Sequence, residues 1–137
     1  MFSTTILIDP KDLESPYHHV HHATSLRYLE KARLQFMENI GQPNQDFLRN
    51  NLLLVITAIE INYLREVVGH QVRVTCEQGA VEGKVIRLFQ RIVNAKGKTC
   101  VKAKVESMFM DGNSRRAVLP PEAFVQAFKE HTELEAS

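Results

Sequence analysis

TSLRYLEKARLQFMENIGQP, residues 24–43, carries Leu26, Leu29, Ala32, Phe36 and Ile40 at spacings of three and four. Arg27, Glu30, Lys31, Gln35 and Glu38 fall largely on other faces. That is the period of an amphipathic helix with one apolar stripe. Thr24 is the expected N-cap, Gly41 suits the left-handed position after the last turn, and Pro43 forbids continuation. The stripe needs an apolar cover, and the rest of the chain must supply it.

The flanking segments read as strands. Phe2 to Ile8 is β-branched and apolar and ends at Asp9-Pro10. In Leu52 to Leu64, period-2 alternation puts Leu53, Val55, Thr57, Ile59, Ile61 and Tyr63 on one face, with Glu60 and Asn62 on the other. His70 to Gln78 presents Val72, Val74 and Cys76, and Lys84 to Val93 is almost continuously strand-like. Asn94-Ala95-Lys96-Gly97 is a hairpin connection into Thr99 to Met110, where Val101, Ala103, Val105 and Phe109 alternate with Lys102, Lys104 and Glu106. Pro120-Pro121-Glu122 opens a short C-terminal helix with Phe124 and Phe128 on one face. A strand, a long helix and four strands joined by short turns predict an α+β architecture, an antiparallel sheet packed on one helix. Only one connection is long enough for a crossover helix, which excludes a parallel βαβ sheet.

The composition agrees. In 137 residues, 44% are apolar and 24% charged, so a core can form, and the length predicts a single domain over residues 1–137. Lys and Arg number 17 against 16 Asp and Glu. With that balance no basic field draws in nucleic acid or an anionic membrane. The longest apolar run, Leu52 to Ile56, is far short of the roughly 20 residues of a membrane helix, and the N-terminus lacks the pattern of a signal peptide. A soluble, cytoplasmic protein with no membrane span is expected. Cys76 and Cys100 sit at strand-like positions and read as small buried apolar side chains.

The segment with chemistry is residues 9–22, DPKDLESPYHHVHH, which sets carboxylates, a hydroxyl and four histidines directly before a helix N-terminus. Unpaired N–H groups and the positive end of the helix dipole can polarise a carbonyl there. A carboxylate can act as base or nucleophile, and a histidine can move protons near neutral pH. His18, His19, His21 and His22 also invite a metal reading, although their spacing matches neither H-E-x-x-H nor a zinc ribbon. Lys84, Arg87 and Arg91 lie on or near one strand, where a cation can meet a phosphate.

The stretch from His19 to Arg33, HVHHATSLRYLEKAR, resembles the G-H-V-N-N-A-x-Y-L-R-Y-F-E-x-A-R signature of the hotdog-fold acyl-CoA thioesterases of the 4-hydroxybenzoyl-CoA thioesterase family. The resemblance continues through Ile61-Asn62-Tyr63, Gln90 to Ala95, and Leu119-Pro120. It implies a five-stranded antiparallel sheet wrapped around one long helix. It also implies hydrolysis of an acyl-CoA thioester to free acid and CoA, without metal or redox cofactor, at sites between the subunits of a homodimer or homotetramer. His18 stands where the family has Gly, and Glu66 where it often has Pro. The family's catalytic Asp precedes that Gly. Counting back without a gap lands on Ser15, whereas one inserted residue aligns Pro10, Asp12 and Leu13 with the family's V-R-P-E-D-L-D and puts Glu14 in the Asp position. Glu14, Ser15 and His22 are thus the catalytic candidates. His19, Tyr63, Lys84 and Arg87 are the candidates for substrate binding. The alternative is a hotdog protein that binds acyl-CoA or acyl-carrier thioesters without hydrolysing them.

Overall fold

The apolar stripe of the long helix is covered by the inner face of an antiparallel sheet, in a computed structural model that describes residues 1–13 and 16–132. The elements run β1 (Phe2–Leu7), α1 (His22–Asn39), α2 (Asn44–Arg49), β2 (Leu52–Tyr63), β3 (Gln71–Cys76), β4 (Gly79–Glu82), β5 (Val85–Val93), β6 (Thr99–Asp111), β7 (Ala117–Val118) and α3 (Glu122–Thr132). A 3-10 turn spans Pro10–Leu13. Five strands form the sheet in the order β1-β3-β5-β6-β2, while the short β4 and β7 pair with β5 and β6. The five expected strands and the α+β class are therefore present. The additions α2, β4 and β7 are too short to show a period in the sequence. No helix among the described residues is long and apolar enough to cross a membrane.

Leu29 and Ala32 are fully buried and Phe36 is 2% exposed, facing Val74, Cys76, Ile92, Val101 and Phe109 in one core. Each such large side chain contributes roughly 1.5–3 kcal/mol by leaving water. The aromatic rings of Phe36, Phe47, Phe109, Phe124 and Phe128 continue the core beneath α3, with centroid separations of 4.9–6.1 Å. Gly79 lets β4 pass under α3, since a Cβ there would lie 2.5 Å from the Phe128 ring. Gly41 takes φ 77 just beyond α1, as its position after the helix requires.

Two local expectations are corrected. Helix α1 starts at His22, and its N-cap is His21 rather than Thr24: the His21 Nδ1 accepts the Ala23 N–H at 3.1 Å. An imidazole nitrogen here does what a hydroxyl or carboxylate does at most caps. In β2 the alternation breaks. The register runs Ile56↔Ser107 and then Ala58↔Glu106, leaving Thr57 as an extra residue in a bulge. Leu52 and Leu54 therefore pack on the core together with Ile59 and Ile61, and Leu53, Val55 and Thr57 do not share the face of Ile59.

Candidate active site

The segment before α1 is held in place by local bonds before any ligand is considered. Asp9 Oδ1 accepts the Lys11 N–H at 2.9 Å and the Asp9 carbonyl accepts the Asp12 N–H at 2.8 Å, which closes the 3-10 turn. That turn is anchored to α1 by the buried Tyr28, whose hydroxyl donates to Asp12 Oδ2 at 2.5 Å. Burial first, then the bond to Asp12 and its charge, push the Tyr28 phenol well above its ordinary value, so it stays protonated and keeps donating. Further along, His18 takes φ 57. The left-handed region is free for glycine and costs a Cβ-bearing residue about 1 kcal/mol, which gives a physical reason for Gly at this position in the resembled signature. Val20 N–H then donates to the Val67 carbonyl at 2.8 Å, fixing the approach to the helix against the loop after β2.

At the start of α1 the rings of His21 and His22 lie 4.0 Å apart, and the His22 ring meets the edge of Tyr63 at 6.2 Å. Tyr63, the last residue of β2, donates its hydroxyl to the His22 carbonyl at 2.9 Å. Burial raises the Tyr63 phenol, which keeps it a donor. The cap fixes the His21 tautomer: Nδ1 is the acceptor, so the proton of the neutral ring is on Nε2. The His22 N–H has no acceptor among the described residues and is the first-turn group left for a developing oxyanion. These groups line an open cavity of about 660 Å³, together with His19, Ser25, Arg65 and Val67.

The structure thus brings His19, His22 and Tyr63 to one cavity. It does not bring Lys84 or Arg87 there. Arg87 pairs with Glu106, whereas Tyr63 pairs with Val101, five positions away along β6. That is about 17 Å at the rise of a strand. Arg87 instead bonds Glu82 at 2.9 Å and lies 3.6 Å from Glu106. Lys84 is exposed in the turn between β4 and β5. Glu14 and Ser15 lie outside the described residues. Among the described residues, no three His, Cys, Asp or Glu side chains are placed to share a metal ion, so the four imidazoles do not converge.

Arg65 and Ser25 line this cavity without having been among the candidates from the sequence. Arg65 is the cation of this cavity, held by donation to the Thr99 carbonyl at 2.9 Å. It follows Tyr63 by two residues, but its reach depends on the turn after β2. Ser25, 1% exposed, lines the cavity one helical turn after His21 and His22, and that spacing is legible in the sequence.

Solved structures share this fold. The probable thioesterase YbaW from Escherichia coli superposes with a TM-score of 0.77 at 23% identity, covering 96% of this chain and 99% of its own. A DHNA-CoA thioesterase from Staphylococcus aureus gives a TM-score of 0.86 at 15% identity, covering 93% and 88%. A further protein from Staphylococcus aureus, solved in complex with CoA, gives 0.84 at 18%, covering 96% and 85%. No curated protein sequence matches the chain. A family model described as the thioesterase-like superfamily matches residues 8–128. With that span matched, the chain belongs to the thioesterase-like superfamily, and thioester hydrolysis is the activity that goes with it.

Proposed function

We propose that the chain hydrolyses acyl-CoA thioesters in the cavity at the start of α1, and that it works as a homodimer paired through β2. The observation that carries the reading is the first turn of α1, where the His22 N–H has no acceptor among the described residues, at a cavity of about 660 Å³ lined by His22, Tyr63 and Ser25. The thioester carbonyl lies at that turn, where N–H groups stabilise the oxyanion of a tetrahedral intermediate. Glu14 serves as base or nucleophile, following the resemblance, with Ser15 as the alternative. His22 orients the carbonyl or handles the proton of the departing thiolate. Arg65 is the cation for the phosphates of CoA in this chain, and Lys84 and Arg87 serve CoA only across a subunit boundary.

The dimer reading is supported by β2 itself. It is a sheet edge of 12 residues with Ile56 and Tyr63 39% and 46% exposed, whereas the other edge, β1, has six residues. A long unpaired edge pairs with a copy of itself about a two-fold axis. A tetramer needs a second contact, and the outer sheet face with exposed Phe89 is available for it.

The test is release of free CoA thiol from a panel of acyl-CoAs by wild type, Glu14→Gln and Ser15→Ala. General base catalysis of this kind is worth about 10²–10⁴-fold. A loss of that size in Glu14→Gln alone supports the assignment, and unchanged turnover moves the role to Ser15 or to water. Tight binding of acyl-CoA with no turnover on any substrate overturns hydrolysis in favour of a binding protein. Sedimentation showing a stable monomer overturns the dimer.

A further inference from the structure

A second cavity, about 300 Å³, lies between the middle of α1 and the inner face of β2, β5 and β6. Leu54, Ile56, Ile86, Leu88 and Phe124 form apolar walls, and Arg33 is set among them. Arg33 is half-buried, and its hydrogen bond goes to Gln90 Oε1 at 3.0 Å. Gln90 is 1% exposed, with its amide nitrogen committed to the Leu29 carbonyl at 3.0 Å and to Cys76 Sγ at 3.5 Å, so its oxygen is aimed at Arg33 by construction. Among the described residues no carboxylate oxygen lies within 4 Å of the guanidinium. Glu30, exposed at the mouth of the cavity, acts on it only from further away.

A guanidinium has five N–H donors in a planar fork, and one bond to an amide oxygen leaves most of them open. Taking such a charge partly out of water is unfavourable unless a counter-charge meets it. The cost is visible here, since burial holds Arg33 below its ordinary pKa. An apolar cavity with one under-matched cation fits a ligand with an apolar body and an anionic end.

We propose that this cavity receives the far end of the acyl group, and that the acyl group carries a distal carboxylate bound by Arg33. The inference rests on the thioesterase and β2-dimer reading above. Pairing β2 with its copy in antiparallel fashion sets the Tyr63 end of one strand beside the Leu52 end of the other. The start of α1 in one subunit then opens towards Leu54 and Ile56 of its partner. Within a single chain His22 and Arg33 are separated by about 16 Å along α1. The substrate class is the half-thioester of a dicarboxylic acid with CoA. Glu30 opposes an anion entering past it and so weakens, without abolishing, that preference.

The experiment compares adipyl- and suberyl-CoA with hexanoyl- and octanoyl-CoA on wild type, Arg33→Met and Glu30→Gln. The readout is the ratio of kcat/KM for the carboxylated and plain substrates within each variant, which cancels any loss of folded protein. Wild type is expected to favour the carboxylated substrates at least tenfold. Arg33→Met brings the ratio to about one, and Glu30→Gln raises it. Equal use of both substrates by wild type, or a ratio indifferent to Arg33, overturns the inference and leaves the thioesterase reading intact. Absence of hydrolysis of every substrate overturns the thioesterase reading instead. Calorimetry with free octanoate then decides the cavity alone, with binding to wild type weakened at least tenfold in Arg33→Met as support and equal or no binding as refutation.

Discussion

At the start of α1 the side chains of His21 and His22 are exposed and the turn is held by bonds between near neighbours and one tyrosine, whereas two to four turns on, Leu29, Ala32 and Phe36 are sealed from solvent. The same helix is therefore open to solvent at one end and structural along its middle, and the proposed chemistry sits at the open end. The exposed end leaves both imidazoles in solvent and, among the described residues, a His22 N–H without an acceptor. The middle carries the burial, and there Arg33 sets a charge in an apolar cavity. Mutations at the two places should consequently separate stability from turnover.

The hardest way to break the comparison is at the buried middle. Phe36→Ala removes a side chain 2% exposed that meets the rings of Phe2 at 5.6 Å and Phe128 at 6.1 Å. It should cost about 3–5 kcal/mol in urea unfolding, as large-to-small core substitutions do. A loss below 1 kcal/mol would show that this core is not packed as described.

A pH measurement probes the same region. Burial pushes the Cys76 thiol up to about 12, against the lowering effects of Arg33 and of the Gln90 bond. Its folded pKa lies above the unfolded value of 9.0, so the folded state holds a proton that the unfolded state gives up. The stability this contributes is complete below pH 9 and is lost as pH rises from there to about 12. At pH 10.5 wild type should have lost about 2 kcal/mol more than Cys76→Ala, both referred to pH 7. Parallel pH profiles would contradict it.

At the exposed end the expected effects on stability are smaller. His21→Ala deletes the cap of α1 and should cost about 1 kcal/mol, with His21→Asn recovering most of it. If His21 serves only as a cap, turnover follows the same order. The smallest expected effect has the opposite sign. His18→Gly relieves the left-handed backbone at φ 57 and should raise stability by a few tenths of a kcal/mol to about 1, the gain being offset by the extra freedom of glycine in the unfolded chain. Destabilisation would show that the His18 ring makes a contact worth more than the strain.

Most of the fold was legible because it is periodic. The stripe of Leu29, Ala32, Phe36 and Ile40 is buried as its spacing requires, and Val72, Val74 and Cys76 face the core as the alternation of their strand demands. Where the reading went astray, a local exception interrupted the period. The bulge at Thr57 exchanges the faces of β2 midway, and no residue type announces it. The cap at His21 was missed because imidazole is an unusual cap, whereas Thr24, two residues into the helix, is a common one.

For the site, the sequence by itself determined the chemical material: histidines and carboxylates before a helix, and Tyr63 at the end of a strand. Those are properties of neighbours along the chain, and local sterics and hydrogen bonding act at that range. Only the tertiary structure decided which of them meet. Tyr63 reaches His22 across 41 residues and Arg33 reaches Gln90 across 57. Strand pairing carries Arg87 towards Glu82 and Glu106 and away from the cavity that Arg65 lines. Such contacts are set by the register of strands distant in sequence, and that register is settled by how the whole inner face packs on α1.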